Sequence, residues 1–408
     1  MKPIPPHGTQ WPLWSLRALN FFMADVQAGI GPFLGIFLLS RGWQSGPIGT
    51  VMTIGGVAGM LMIAPAGAII DIVPDKRRFV TIPCLCIMFA WSLVLISDSF
   101  WMVTLSQVAI AVAGAAIGPA VIAITLGIAR QAGFNRENGY NQAFNHAGNV
   151  VGAALSGYLG MRWGMTAIFL LSSLFGVLVV LSTWAIPAGS IDNQAARGSG
   201  KAEEGEDTPA VTVLAGRKPL LILALALACF HLGNAALLPL YGMAAAAGSK
   251  QNASAFVAMT VIIAQLVMAG ASLVGMKMVD KRGYWLVIFI SFISLPIRGF
   301  IAANMGSDFG IYPVQILDGI GAGLQSVAVP GLVAHLLNGT GRINAGQGAV
   351  MTIQGIGAAL SPAVGGWIAQ SMGYDMAFVI LGSFSFVSVG LWLAYFKTVS
   401  PECNPVVQ

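Results

Sequence analysis

The sequence predicts an all-α membrane protein with twelve transmembrane helices in two pseudo-symmetric six-helix bundles. Three observations predict it. Of 408 residues, 56% are apolar and only 9% are charged, against roughly 25% charged in soluble domains, so the chain cannot cover a water-facing surface. The apolar residues fall in runs of about 18 to 28, enough to cross a hydrocarbon layer of roughly 30 Å at 1.5 Å per helical residue. Finally, the polar residues inside these runs recur at a nearly fixed offset between the two halves of the chain.

Six runs precede a polar interruption: Leu13 to Leu39, Ile48 to Ile70, Phe79 to Ile96, Trp101 to Ile128, Gln142 to Leu159 and Met165 to Ile186. Six follow it: Leu220 to Met243, Phe256 to Val274, Leu286 to Ala302, Ile311 to Leu337, Met351 to Ala369 and Phe378 to Tyr395. Lipid offers the backbone no partners, so an open-ended spanning segment must be helical. The 51 glycines fit this setting, because pairs such as Gly55 with Gly59 and Gly148 with Gly152 let helix backbones approach closely.

Cys84, Cys86, Cys229 and Cys403 have no metal-ligand or disulfide-framework spacing, so neither a metal nor a cofactor is expected. The start, MKPIPPHGTQ, is short and polar. The first run is too long for a signal-peptide core and is expected to remain in the protein. The net charge of +5 reads as orientation rather than as a nucleic-acid footprint. With a cytoplasmic N-terminus, sixteen of the twenty Lys and Arg residues face the cytoplasm, and Arg41, Arg162, Lys250 and Arg298 face outward. That asymmetry is what the positive-inside rule requires of an even number of spans, placing both termini in the cytoplasm of an inner membrane.

Residues 187–218 break the apolar pattern and cluster Glu203, Glu204, Glu206 and Asp207, as a solvated cytoplasmic linker would. The expected division is therefore residues 1–186, the linker 187–218, and residues 219–408. The halves still match: GAALS occurs at Gly152 to Ser156 and at Gly357 to Ser361, an offset of 205 that also sets Gln142 on Gln347 and Asn149 on Gln354. At an offset of 207, Gln27 falls on Asn234 and Pro32 on Pro239. Span 5 is thus paired with span 11, and span 1 with span 7.

The turn after span 2 reads Gly67-Ala-Ile-Ile-Asp71-Ile-Val-Pro-Asp75-Lys76-Arg77-Arg78. It resembles the G-x-x-x-D-(R)-x-G-R-(R/K) loop of the major facilitator superfamily, and the turn after span 8, from Gly275 through Asp280, Lys281, Arg282 and Gly283, is a second copy. Both depart from the pattern: Pro74 and Asp75 stand where small residues are usual, and Gly275 lies five rather than four residues before Asp280. The resemblance implies the fold of two six-helix bundles around a midplane cavity. It also implies a conformational latch formed by Gly67, Asp71, Lys76, Arg77 and Arg78, and by Asp280, Lys281 and Arg282. A carboxylate among cations at a helix end is suited to that role. Drug–proton antiporters of the family carry G-x-x-x-G-P-x-x-G-G on helix 5. Here Gly148 and Gly152 are followed by Ala153, and the Pro362, Gly365, Gly366 portion appears on span 11, so export and import both stay open.

An ionisable residue deep in a span marks a functional site or a buried pair. Asp25 lies about twelve residues into span 1, roughly 18 Å deep, with Gln27 nearby. His231 and Asn234 share a face of span 7, and the repeat places them level with Asp25. Asp25 is read as the proton-coupling carboxylate with Asp318 of span 10 as a second, or as members of satisfied packing pairs. Asn141, Asn145 and Asn149 recur every fourth residue, with Gln142 and His146 alongside, so this stripe lines a cavity or bonds to span 8 or span 1. Gln27, Asn149, His231, Asn234, Gln325 and Gln354 are the expected substrate contacts. Arg298 is expected to snorkel to the outer interface or to pair with Asp318; His335 and Arg130 are expected to be interface anchors.

These residues predict a monomeric secondary transporter, not an enzyme. It moves a small molecule by alternating access, with protons as the energy source and the lipid bilayer and solute as its partners. Histidine alone supplies positive charge in this reading, so a neutral or cationic organic solute is expected. Two alternatives remain: transport of a metal ion or chelate through Asp25, His231 and His146, and a non-transporting receptor or scaffold on the same fold.

Overall fold

The computed structural model describes residues 10–28, 30–73, 75–196, 216–248, 253–305, 308–338 and 343–403, and every regular element among them is a helix. Most of the expected linker, residues 197–215, lies outside the described residues. The first half contains α1 (Gln10–Ala28), α2 (Gly31–Ser40), α3 (Ser45–Ile72), α4 (Arg78–Ile96), α5 (Phe100–Trp163), α6 (Met165–Trp184) and the short α7 (Asn193–Ala196). The second contains α8 (Lys218–Asn234), α9 (Leu237–Ala247), α10 (Ala253–Asn304), α11 (Ile311–Leu336), α12 (Ile343–Met372) and α13 (Tyr374–Ala394).

Two of these are double. The backbone of α5 leaves the helical region at Arg130 (φ 55°, ψ 174°), and that of α10 at Gly283 (φ 76°, ψ 174°). Divided there, and with α1–α2 and α8–α9 each taken as one interrupted span, the helices make twelve traverses. Among the described residues ten helices are long and apolar enough to cross a membrane, Ala253–Asn304 counting as one. The traverse outside that set is residues 131–163, which carries the asparagine stripe. The fold is the expected all-α, twelve-helix membrane architecture.

Spans 1 and 7 read as continuous in sequence but are interrupted at repeat-related places, after Ala28 and after Asn234. Pro32 and Pro239 follow the two breaks. Each lacks the N–H that would bond the carbonyl four residues earlier, and its ring crowds that carbonyl. The last turns before the breaks carry Asp25 and Gln27 in one case and His231 and Asn234 in the other.

The chain forms two compact units, each holding a short piece of the opposite sequence half. The first consists of Met1–Phe37, Ile54–Ala202 and Asn252–Ala258; the second of Leu38–Thr53, Glu203–Gln251 and Met259–Gln408. In the first unit α1 packs on α5 and α6, and any side chain at Gly148 would collide with the Phe21 carbonyl. Phe169 joins Phe37 and Trp91 edge to face, at 5.1 and 5.9 Å, a preferred aromatic geometry. In the second unit α8 packs on α12 and α13, with Gly357 against the Ala228 carbonyl and Gly233 against that of Leu381.

The exchanged segments pack in the same way. In the second unit Gly49 lies against the Pro362 carbonyl and Gly366 against that of Ser45. Polar bonds close the contact: Trp367 Nε1 donates to Thr50 Oγ1 (3.0 Å), the Ala363 amide to Thr53 Oγ1 (2.9 Å) and the Gly46 amide to Gln370 Oε1 (3.0 Å). In the first unit Gly157, which the 205-residue offset pairs with Pro362, meets Ala258, and Gly160 meets Ser254.

Candidate functional site

In the first unit Asp25 is 2% exposed, and among the described residues neither carboxylate oxygen has a partner in hydrogen-bond geometry. The buried Ser172 hydroxyl of α6 comes near enough to interact with it. Gly152 of α5 presses on the carboxyl, since a Cβ added there would stand 2.6 Å from Asp25 Oδ1. Among the described residues no counter-charge compensates a charged carboxylate held this way, whereas the protonated acid is tolerated. Gln27, two residues on, is exposed at the break after Ala28.

A polar seam runs along α5 toward Asp25. Asn141 Nδ2 donates to Thr125 Oγ1 (3.0 Å), Asn145 Nδ2 to the Asn20 carbonyl (3.3 Å) and Asn149 Nδ2 to Asn145 Oδ1 (3.2 Å). The stripe therefore bonds to α1, one of its two expected neighbours, and to the part of α5 before Arg130. Asn149 is half-buried and ends the seam one turn from Gly152. One turn before Asn141, Glu137 forms an ion pair with Arg17 of α1 at 2.7 Å, the two side chains 6% and 12% exposed. The Arg17 guanidinium lies over the rings of Trp14 (5.0 Å) and Tyr140 (4.4 Å), which suits its weak hydration. Sequence reasoning missed this pair, although Glu137 continues the four-residue spacing of the asparagines.

The second unit gathers its polar groups around Arg298 of α10. Its Nη1 donates to Asp318 Oδ1 of α11 at 2.5 Å and to Asn234 Oδ1 of α8 at 2.8 Å. Arg298 is 1% exposed, so of its two expected settings the pair with Asp318 is the one found and snorkelling to the interface is not: a carboxylate and an amide on facing helices hold it inside. Its presence also removes the premise that histidine alone brings positive charge. Tyr241 of α9 lies beside the guanidinium. Arg298 Nε and Nη2 have no partner among the described residues.

His231 is half-buried, stacks edge to face on Phe230 at 5.2 Å, and lies close to Gln325, although its Nε2 has no partner in hydrogen-bond geometry. Gln325 is buried and donates to Ser291 Oγ at 3.3 Å. Gln354 of α12 is half-buried. Gln315, one turn before Asp318, is fully buried with both amide atoms unpartnered among the described residues; its place near the outer end of span 10 gave no reason to single it out. His335 packs on the Tyr284 ring at 5.9 Å.

The two latch turns differ. Gly67 and Asp71 lie on the last turns of α3, with their side-chain surroundings outside the described residues. Lys76 Nζ donates to the Ile70 carbonyl, capping α3. Arg77 pairs with Asp75 at 3.1 Å, donates to the Ile186 carbonyl at 3.1 Å and lies over the Trp184 ring at 4.8 Å. Arg78 reaches the same carboxylate at 3.5 Å. The described acidic partner in this cluster is Asp75. In the second turn Asp280, Lys281 and Arg282 are all exposed, and among the described residues Asp280 forms no ion pair.

Beyond span 6 the Asp192 carboxylate accepts from the amides of Gln194 and Ala195, capping α7. It also pairs with Arg130 at 3.5 Å, and the Asp192 amide donates to the Gly127 carbonyl at 3.0 Å. Arg130 is thus tied to the start of the linker. Among the described residues no three His, Cys, Asp or Glu side chains gather around a common point as metal ligands would, and Asp25 and His231 belong to different units.

The comparisons with known proteins agree with this architecture. The family model for the Major Facilitator Superfamily matches residues 13–345. Two Mycobacterium tuberculosis proteins, the uncharacterised MFS-type transporters MT2531 and Rv2456c, are each 36% identical over 383 residues, covering 93% of this chain and 91% of theirs. Among solved structures, the nucleoside transporter NupG superposes with a TM-score of 0.79 at 16% identity, over 95% of this chain and 99% of that one. A bacterial homologue of the human lysosomal transporter Spinster, in an inward-facing and unoccupied conformation, gives 0.75 at 14% identity, over 99% and 100%. Family, relatives and fold converge, and the chain belongs to the Major Facilitator Superfamily: it is a multi-pass membrane transporter and not an enzyme.

Proposed function

We propose that this protein is a proton-coupled secondary transporter of a small organic solute, with Asp25 as the carboxyl that takes and releases the proton. One observation carries the reading. Asp25 is a buried acid beside a helix break, with no cation against it among the described residues and only the Ser172 hydroxyl close to its carboxyl. Such a group is stable when neutral and costly when charged, so its ionisation must follow a change in its surroundings. Alternating access supplies that change, as water reaches the site first from one side of the membrane and then from the other.

In this reading Gln27 and Asn149, and separately His231, Asn234, Gln325 and Gln354, supply solute contacts. Asp318 holds Arg298 while the site is empty of solute. The Lys76, Arg77 and Asp75 cluster steadies the first cytoplasmic turn, and the protein works as a monomer in an inner membrane with both termini in the cytoplasm. The test is uptake into proteoliposomes of solutes chosen by a thermal-shift screen. Asp25→Asn should reduce pH-driven accumulation at least tenfold while leaving assembly intact; unchanged accumulation would remove Asp25 from the coupling role.

A further inference from the structure

Arg298 uses only one of its three nitrogens. Nη1 serves both Asp318 and Asn234, while Nε and Nη2, the edge of the guanidinium that grips two oxygens side by side, are buried and unpartnered among the described residues. Orphaned donors on a buried cation are costly. Their geometry matches a carboxylate, whose two oxygens accept parallel N–H bonds. The helix that supplies Asn234 ends at that residue, where α8 breaks before α9, so one of Arg298's holders sits on an interrupted backbone. Resting on the transport reading above, we infer that the solute carries a carboxylate, that Arg298 binds it through Nε and Nη2, and that Asp318 and the solute compete for this one cation.

The competition yields a proton step. With the solute seated, two carboxylates face one guanidinium, and the excess negative charge is relieved when Asp318 accepts a proton from hydronium, forming its carboxylic acid and one water. When the solute leaves, Asp318 returns the proton to water and recovers its bond to Nη1. The groups facing Asp318 permit this exchange. Arg298 approaches Asp318 from α10, and the groups on that guanidinium are the neutral Asn234 amide of α8 and the Tyr241 phenol of α9. Where the first part of α10 packs on α11, the contacts at Gly319 and Gly323 are Ala264, Val267, Met268, Ala271 and Ser272, none of them titratable.

The test uses the full chain purified in detergent, with thermal unfolding followed by tryptophan fluorescence at pH 5.5 and pH 7.5. The probes are acetate, lactate and benzoate, each against its own amide. At least one acid should stabilise the protein, more strongly at pH 5.5, and its amide should not. Arg298→Gln should abolish the shift. Because removing a buried cation can also block assembly, Asp318→Asn gives the independent arm: freed of its rival, Arg298 should bind the acid at least tenfold more tightly, with the pH dependence lost. Amides as effective as their acids, no response to any of the three acids, or weaker acid binding in Asp318→Asn would each overturn the inference. Acid binding is read in detergent with no proton gradient, whereas the Asp25 role is read as pH-driven accumulation, so failure of the coupling reading and failure of the Arg298 site are told apart.

Discussion

Gly152 of α5 and Asp25 of α1 are packed so closely that a single added carbon at Gly152 would stand 2.6 Å from the aspartate Oδ1 and 3.2 Å from its Cβ. The glycine is what allows a carboxyl to occupy a helix–helix seam. Gly152→Ala should therefore destabilise the protein by about 1–3 kcal/mol, the usual cost of overpacking, measured by unfolding in detergent. In an Asp25→Ala background the same substitution should cost markedly less, because the atoms in its way are gone. Equal costs in both backgrounds would show that the contact does not matter.

The Arg17–Glu137 pair predicts an asymmetric response. Glu137→Ala leaves a guanidinium that is only 12% exposed without its carboxylate, and a loss of about 3 kcal/mol is expected. Replacing both partners, Arg17→Met with Glu137→Leu, should recover most of that loss, because the cost lies in the orphaned charge. Thermal unfolding of the two single variants and the double variant measures the difference.

Asp75 lies in the turn between α3 and α4, outside the spans. Burial opposes its charge, but the hydrogen bond and charge of Arg77, with help from Arg78, outweigh burial and hold the carboxyl below its ordinary value of 3.8. A carboxyl with a lowered pKa in the folded state adds stability that is present above the unfolded value and disappears as pH falls through the folded one. The turn should therefore hold firm at neutral pH and loosen below about pH 4. Hydrogen exchange of residues 75–81 should show this loosening, and Asp75→Asn should remove its pH dependence.

Arg130 has the backbone conformation that glycines occupy at the other sharp turns. Its φ of 55° and ψ of 174° resemble those of Gly283 (76°, 174°) and Gly164 (80°, 177°), a region that costs a side-chain-bearing residue about 1–3 kcal/mol. Arg130→Gly should raise the unfolding temperature despite loss of the exposed pair with Asp192, since exposed pairs contribute little. A lower unfolding temperature would show that the tether to the linker outweighs the strain.

The sequence made much of this molecule legible for identifiable reasons. Lipid imposes length and apolarity on every span, so the spans are visible as runs, whereas the breaks in spans 1 and 7 are not, because Pro32 and Pro239 sit inside runs that stay apolar on both sides. The asparagine stripe and Asp25 stand out because polar groups are costly at that depth. Arg298 reads either as an interface anchor or as the partner of Asp318, because its distance from a span end does not decide between them: packing does, and it alone brings Asn234 to the same guanidinium. Gln315 and Glu137 were passed over for the same reason, as was the contrast between the clustered first latch turn and the exposed second one. The helix 5 traverse begins after Arg130, about three turns before its apolar run, since its polar face is satisfied by neighbouring helices.

The most direct measurement of the central claim is charge displacement on a solid-supported membrane. Proteoliposomes holding the purified protein are given a rapid pH jump with no solute present. If Asp25 is the group that takes up the proton, the wild type will give a transient current that Asp25→Asn lacks, while Asp318→Asn retains it. A current of undiminished size in Asp25→Asn would contradict the account.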